Sequence, residues 1–313
     1  MDKKRVKVFA PATIANVGPG FDVLGVALDQ PGDFVIAERS DKPGLHFSLH
    51  GQINDIPADT ANVAAYVANL MLDEFKPPFG ITLQLDKRMP IGSGLGSSGA
   101  SSAAAAYAVN QLLPNPAAKM DIIHFAMEGE RLASGSPHAD NVAPSLLGGL
   151  CLIRSYKPLD VIQLPFLNQF HWVVIHPHLV INTRLAREIL PASIPLSTAI
   201  TQCGNLAALI TGLEHGNISL IASALTDSIA EPARSGLIPG YDYIKQAALD
   251  HGAIGFSISG SGPSVFAVTT TPDIAADVSK AIQAAFLKYA YVECDSYCSR
   301  INMDGTKLVK ESS

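Results

Sequence analysis

An α+β protein of two domains is what the sequence predicts, and three observations predict it. Its 313 residues are about two domains' worth at roughly 150 residues each. Short apolar or alternating runs interleave with helical rhythms along the whole chain. The order of these elements changes after Ser155-Tyr156-Lys157-Pro158-Leu159, which divides the chain into domains 1–157 and 158–313.

In the first domain, residues 6–10 form a short β run ending in a turn-rich stretch, 11–25. Residues 34–38 and 45–49 are further strands, bounded by the turn signals QPGD and DKPG. From 60 to 75, Val63, Val67, Leu70 and Met71 recur at helical spacing, with Asp59 or Thr60 available as N-cap. Residues 81–85 alternate as a half-buried strand, and a glycine and serine loop leads into an alanine-rich helix, 97–113. A helix at 119–133 and a strand at 150–153 follow. The second domain opens with strand 171–175 and continues through helices around 184–190, 198–214 and 241–251. Strands 255–259 and 265–269, helix 272–289 and strand 291–296 finish it. Without the extra helices this is β-α-β-β-α-β, the ferredoxin-like order.

Composition narrows the function classes. Hydrophobic residues make up 48% and charged residues 16%, which excludes a disordered or solvating chain. With 22 Lys and Arg against 28 Asp and Glu, the net charge of −6 disfavours a nucleic-acid binder. Any anion must therefore be held by a local device rather than an overall field. Four cysteines, two of them in CDSYC (Cys294, Cys298), read as reduced thiols. The start Met1-Asp2-Lys3-Lys4-Arg5 imitates a secretory leader, but its apolar run stops at Pro11. No stretch approaches the ~20 apolar residues of a membrane span, so a cytoplasmic protein without membrane contact is expected.

The most informative segment is Pro90-Ile91-Gly92-Ser93-Gly94-Leu95-Gly96-Ser97-Ser98-Gly99-Ala100, between a strand and a helix. Glycines let backbone approach a ligand and take positive φ. Successive N–H groups, with the unpaired donors of a helix start, form a site for phosphate oxygens. Lys87, just upstream, could add a phosphate-facing cation. Gly94 to Gly99 also satisfies G-x-G-x-x-G, but the following Asp121 falls in a helix instead of ending a second strand. A Walker loop fails because Ala100 stands in place of its lysine.

PIGSGLGSSGASSAAAA resembles the second motif of the GHMP kinases, the superfamily of galactokinase, homoserine kinase and mevalonate kinase. Gly99 stands where many relatives have Ala. APATIANVGPGFD, residues 10–22, is similar to the N-terminal motif as homoserine kinases carry it, and SISGSGPS, residues 257–264, to the C-terminal glycine motif. The resemblance implies an N-terminal α/β domain, with a left-handed β-α-β unit around the phosphate loop, and a ferredoxin-like C-terminal domain. It also implies an ATP-dependent, Mg²⁺-requiring kinase of L-homoserine in threonine biosynthesis. Another small hydroxyl acceptor, or a non-catalytic nucleotide-binding relative, is the alternative. Since the family often forms dimers, a homodimer is expected by analogy.

Phosphoryl transfer needs a cradle, a metal, an oriented acceptor and charge stabilisation. Ser98 and a carboxylate would suit a hard octahedral ion. Glu128 and Glu130 are two apart on one helix and so project from different faces; the resemblance favours Glu130. In SGSPHADNVAP, residues 134–144, Asp140 or Asn141 is read as bonding the acceptor hydroxyl, with Asp140 positioning it first and taking its proton second. An Asp N-cap is the plain reading of the same residue. His138 is either a substrate contact or an ordinary loop residue. A zwitterionic amino acid calls for Arg at its carboxylate, and Arg187 and Arg234 lie in segments that resemble homoserine kinases, with Arg184 a rival to Arg187. Thr183 lines the same pocket by analogy; Asn16 and Asp22 are read either as ammonium partners or as turn residues among Gly18, Pro19 and Gly20; and the resemblance implies that Gly260, otherwise an ordinary turn residue, brings the C-terminal loop to the site. Asn62 is implied to touch the adenine edge, its other reading being a first-turn helix residue.

Overall fold

A computed structural model describes residues 3–51 and 56–310; Met1 and Asp2 of the basic start lie outside them. The first unit runs β1 (Arg5–Ala15), β2 (Leu24–Ser40), β3 (Leu45–Gly51), α1 (Val63–Phe75), β4 (Gly80–Lys87), α2 (Ser97–Leu112), α3 (Ile123–Ser134), α4 (Val142–Leu147), β5 (Leu150–Tyr156) and β6 (Leu159–Leu164). β2 is the spine of its sheet. β1 pairs antiparallel along most of it, β4 along its second half and β5 along its first residues. β3 lies parallel to β4, with α1 as the crossover.

Two turn signals lose to pairing. β1 continues through Pro11 to Ala15, and β2 absorbs QPGD, so that Gln30 to Asp33 stay in the strand. Gly32 permits this, since a Cβ there would stand 2.3 Å from the Phe9 ring on the neighbouring strand. The alanine and serine content of α2 has a packing cause. Small side chains let the helix be buried nearly all round, between the sheet and helices α1 and α3. On α3, Gly129 leaves room for the Ser102 hydroxyl of α2, which an added Cβ would meet at 2.1 Å.

The boundary expected at 157/158 is corrected. Tyr156 and Leu159 are the paired ends of the β5–β6 hairpin, so that position lies inside the first sheet. The second unit begins at β7 (His171–Pro177) and continues with α5 (Thr183–Glu188), α6 (Leu196–His215), α7 (Ile218–Ala224), α8 (Ala230–Arg234), α9 (Tyr241–Asp250), β8 (Gly255–Ile258), β9 (Val265–Thr269), α10 (Pro272–Ala290) and β10 (Cys294–Ser299). Its antiparallel sheet has the order β10-β7-β9-β8, as the ferredoxin-like reading requires. β10 starts three residues later than expected. The short α4, α7 and α8 had no periodicity long enough to announce them.

Alternation along β7 joins the two units. Trp172 and Val174 point into the core shared with the first unit, whereas Val173 and Ile175 point into a second core under α9 and α10. Period-two side-chain geometry thus buries both faces of one sheet. The chain then returns: Ile301 bridges Leu28, and β11 (Lys307–Leu308) pairs with β1. Between them, the Thr306 N–H and hydroxyl donate to Leu146 O (3.2 Å) and Ser145 O (2.9 Å) of α4. Residues 158–313 are therefore not one unit. Among the described residues no helix is long and apolar enough to cross a membrane, and all four cysteines are free.

Thr306→Val keeps the shape of a fully buried residue and removes its hydroxyl bond. We expect a loss of about 1–2 kcal/mol, read as a lower urea midpoint, because Ser145 O loses a buried partner. An unchanged midpoint would mean that the returning segment carries no stability.

Candidate active site

The glycine loop adopts the conformation that its composition implies. Gly92, Gly94 and Gly96 have φ of +59°, +79° and +66°, alternating with residues of ordinary φ. Such alternation turns successive N–H groups toward one side as an anion cradle. Gly96 is the N-cap of α2 and has no side chain to accept from the first-turn amides, so the donors of Ser97 and Ser98 face outward without an intrahelical acceptor. Close packing also demands these glycines. A Cβ on Gly96 would meet Thr13 Oγ1 at 2.0 Å and Asn141 Oδ1 at 2.6 Å; one on Gly94 would meet Ser259 O at 2.4 Å.

The second unit docks here. Ser259 Oγ donates to Gly94 O (2.6 Å) and the Ser264 amide to Ser93 O (3.1 Å). The Gly260 amide donates to Ala15 O (3.2 Å), and Gly260 O accepts from Asn16 Nδ2 and from Arg234, both at 2.9 Å. A cleft of about 890 Å³ results, with one wall from each unit. Pro90, Ile91, Gly92, Ser93, Gly94, Gly96, Ser97 and Ser98 line it on the loop side, together with Glu130, Asp140 and Asn141. Asn16, Asp22, His138, Thr183, Arg184, Arg187, Arg234 and Gly260 line it as well, Gly260 lying against Gly94.

Three expected loop positions do not face the cleft. Leu95 and Ala100 are fully buried in the core, and Gly99 packs against Asn141. Lys87 is corrected too. Its ammonium is spent beneath the loop, on the Asp33 carboxylate, on Ser97 O (2.8 Å) and on Ser101 Oγ (2.8 Å). Asn62 is likewise turned to structure, as the N-cap of α1. Its Oδ1 accepts from the Ala64 amide and its Nδ2 donates to Pro57 O, both at 2.9 Å, and it does not line the cleft.

Burial separates the two glutamates. Glu128 is on the outer face of α3, paired with Arg131. Glu130 is buried beside Ser98 and leaves Oε1 without a partner. Burial pushes its carboxyl above the usual range, against the opposing pull of Ser98 and Lys87. A buried oxygen without a donor, beside a hydroxyl and a phosphate cradle, is the donor set that a hard cation fits. Asp140 has the same character: its Oδ1 is orphaned, and burial, reinforced by Asp22 and Glu130, pushes its carboxyl up to about 7. Asn141 is anchored through Oδ1, which accepts from Thr13 Oγ1 at 2.7 Å.

At the other end, charges pair with one another. Arg187 forms a two-pronged ion pair with Asp22. Arg234 is buried, donating to Ala186 O (2.9 Å) as well as Gly260 O. Phe21 lies between the two guanidiniums, at 5.6 and 5.2 Å, within cation–π range. Asn16 Oδ1 accepts from the Asp22 amide (3.0 Å), so it shapes the loop that presents Asp22. Asn16 and Asp22 both have positive φ, +70° and +58°. His138 Nδ1 is 3.7 Å from Asp22, and burial lowers its pKa despite that neighbour. Thr183 Oγ1 lies 3.5 Å from Ser261 Oγ.

Comparison with known proteins gives the family. Models of the GHMP kinase N-terminal and C-terminal domains match residues 62–149 and 209–288. A homoserine kinase of Chlorobaculum tepidum is 46% identical, with 99% of this chain and all of the relative covered. The chain belongs to the GHMP kinases, in their homoserine kinase family. A crystal structure of homoserine kinase from Cytophaga hutchinsonii superposes with a TM-score of 0.94 at 48% identity, covering 99% of this chain and 98% of that one. L. major mevalonate kinase, at 16% identity and a TM-score of 0.74 over 97% of this chain and 99% of that one, shares the fold alone. This membership gives the two-domain kinase fold and its use of ATP.

Residues without a motif role also build the site. Tyr156 ties both ends together, donating to Asp22 O (2.9 Å) and accepting from the Ala139 amide (3.3 Å). It sits in the segment read as the domain boundary. Its aromatic ring beside polar boundary residues was the only available signal. Thr13 lies inside the N-terminal motif, but its partner Asn141 is 128 residues away.

Two outcomes are expected. Gly96→Ala places a side chain in left-handed backbone and against Thr13; it should lower stability by about 1–2 kcal/mol or more and sharply reduce ATP affinity, measured by calorimetry. For Asp140, the folded chain retains a proton over a range where the unfolded chain has released it. Its contribution thus favours the fold at acid pH and is lost as pH rises from about 4 toward 7. Asp140→Asn should therefore melt higher than the parent at pH 8 and converge with it below pH 4, while losing about a hundredfold or more in kcat. Equal melting at pH 8 would contradict the buried charge.

Proposed function

We propose that the chain transfers the γ-phosphoryl group of ATP to the side-chain hydroxyl of L-homoserine, giving ADP and O-phospho-L-homoserine for threonine synthesis. The observation that carries this reading is one cleft joining an amide-lined loop, Gly92 to Ser98, to an Asp22–Arg187–Arg234 charge cluster, with Asp140 among its lining residues. The loop suits an anionic tail. The cluster suits a small zwitterion, with Arg187 and Arg234 for its carboxylate and Asp22 for its ammonium.

Ser98 and Glu130 are the residues that would hold Mg²⁺, the group that supplies charge neutralisation on the phosphates when bound. The remaining work belongs to the chain. Loop amides orient the triphosphate, and the second unit covers the loop through Ser259 and Ser264. Asp140 holds the acceptor hydroxyl in line. The hydroxyl oxygen of the acceptor bonds to the γ-phosphorus as the bond to the bridging β–γ oxygen breaks, and Asp140 takes the released hydroxyl proton late. A loose transition state asks little more of a base. A carboxyl near 7 can perform both duties at neutral pH. Asn141, pinned by Thr13, keeps the turn in place.

The Asp22–Arg187 pair adds a selectivity argument. A zwitterion exchanges one internal ion pair for two external ones, whereas a singly charged analogue opens the pair and leaves one member unmatched. A cytoplasmic location and a homodimer accompany this reading, on composition and family analogy respectively.

ADP release should be measured over homoserine, mevalonate, shikimate and sugars. Turnover is expected with homoserine and not with 4-hydroxybutyrate or 3-aminopropanol. Turnover with another acceptor alone would overturn the substrate, and none with any acceptor would favour the non-catalytic relative. Arg187→Ala and Arg234→Ala should each raise the homoserine KM about tenfold or more, with the ATP KM little changed. Unchanged kinetics in both would remove them from the pocket.

A further inference from the structure

The QPGD segment, which reads as a turn, buries a carboxylate that the mechanism above does not use. Asp33 is fully buried in the middle of β2. Every donor around it belongs to one side or the other of the glycine loop. Oδ1 accepts from the Arg88 amide (2.9 Å) and the Met89 amide (3.1 Å), the backbone that leaves β4 for the loop. Oδ2 accepts from Ser101 Oγ (2.8 Å), in the first turns of α2, and from the Lys87 ammonium. Lys87 in turn donates to Ser97 O, at the start of that helix, and to Ser101 Oγ, both at 2.8 Å.

We propose that Asp33 is the positioning residue of the phosphate loop: a buried carboxylate that holds the loop's entry at residues 88–89 and its exit at 97–101 in fixed relation. The inference rests on the reading of that loop as the ATP cradle. The physical reason is the separation that a cradle must keep. Loop glycines lower the cost of positive φ but supply no rigidity of their own, since glycine has the most conformational freedom to lose. A cradle works only if its amides are already aimed, and here the aiming comes from below. Both carboxylate oxygens are filled, two donors each, so the loop ends cannot drift without unpairing a buried charge. Lys87 has a matching part. It is the counter-charge that lets Asp33 stay buried while reaching the helix start, rather than a ligand of the nucleotide.

The proposal predicts which kinetic constant moves. Asp33→Asn keeps an oxygen for the Arg88 and Met89 amides but leaves the Lys87 ammonium facing a neutral amide. Lys87→Met leaves the Asp33 charge unmatched. Each should raise the ATP KM, and the Kd of a magnesium-loaded non-hydrolysable ATP analogue, about tenfold or more, with the homoserine KM within about twofold. The double variant Asp33→Asn/Lys87→Met removes both charges while keeping the bonds to 88 and 89. It should recover most of the lost affinity. Should either single variant fail to fold, Ser101→Ala, which cuts only one link to Oδ2, is expected to raise the ATP KM about threefold.

A lower melting temperature with unchanged ATP constants in Asp33→Asn and Ser101→Ala would reduce Asp33 to a fold-stabilising residue and overturn the proposal. A double variant as impaired as Lys87→Met alone would overturn it as well, by making Lys87 a direct phosphate ligand. Failure of the unmodified protein to bind the analogue would instead sink the ATP reading itself.

Discussion

Backbone meets backbone at the centre of this molecule, and the rest of the site depends on that approach. Gly94 lies so close to the 259–262 turn that a Cβ would stand 2.4 Å from Ser259 O and 3.0 Å from Gly262 O. Because no side chain intervenes, Ser259 Oγ and the Ser264 amide can bond directly to the loop carbonyls. That contact sets the two walls of the cleft at one spacing. It also brings Gly260 O within reach of both Asn16 and Arg234, so the acceptor end is assembled by the same docking that covers the phosphate end.

The electrostatics follow from partial burial. Glu130 and Asp140 have been taken out of water without a full set of donors, and Arg234 is buried among carbonyls and an aromatic face. Groups like these cost stability in the empty protein. They sit where a cation, a hydroxyl and a carboxylate would each complete them. Asp22 and Arg187 satisfy each other in the meantime, which keeps the most exposed pair of charges from adding to that cost. Under the loop the opposite holds. The Asp33–Lys87 network is fully paired and carries no vacancy for a ligand.

Part of the site was legible because it lies in glycine-containing motifs, whose residue types are demanded by backbone geometry; the rest was read from residue types in 134–144 and around Arg187 and Arg234 that resemble homoserine kinases. Ser98, Asp22, His138, Asp140, Arg187 and Arg234 do line one cleft. Lys87 and Asn62 were read as ligand contacts, and both are spent inside the fold. A lysine near a phosphate loop and an asparagine at a helix start have two uses each, and the choice lies with partners distant in sequence. Asp33 lies 54 residues before Lys87. The same holds for Glu128 and Glu130: spacing said that one points inward, and the packing of α3 on α2 decided which.

By itself the sequence determined the kinds of element, the ferredoxin-like order of the second unit, the glycine positions that need left-handed backbone, and the family. These depend on periodicity, on missing side chains and on short motifs, all of which are local. Tertiary structure decided that QPGD stays in a strand, that Tyr156 and Pro158 belong to a hairpin and not to a domain boundary, and that Lys307 and Leu308 return to the first sheet. It also decided which charges face the cleft and which hold the loop from beneath. Those outcomes turn on which distant groups share a buried space. In such a space most polar atoms take whatever partner is present, because an unpaired one is costly, and Glu130 Oε1 and Asp140 Oδ1 stand out as exceptions at the cleft.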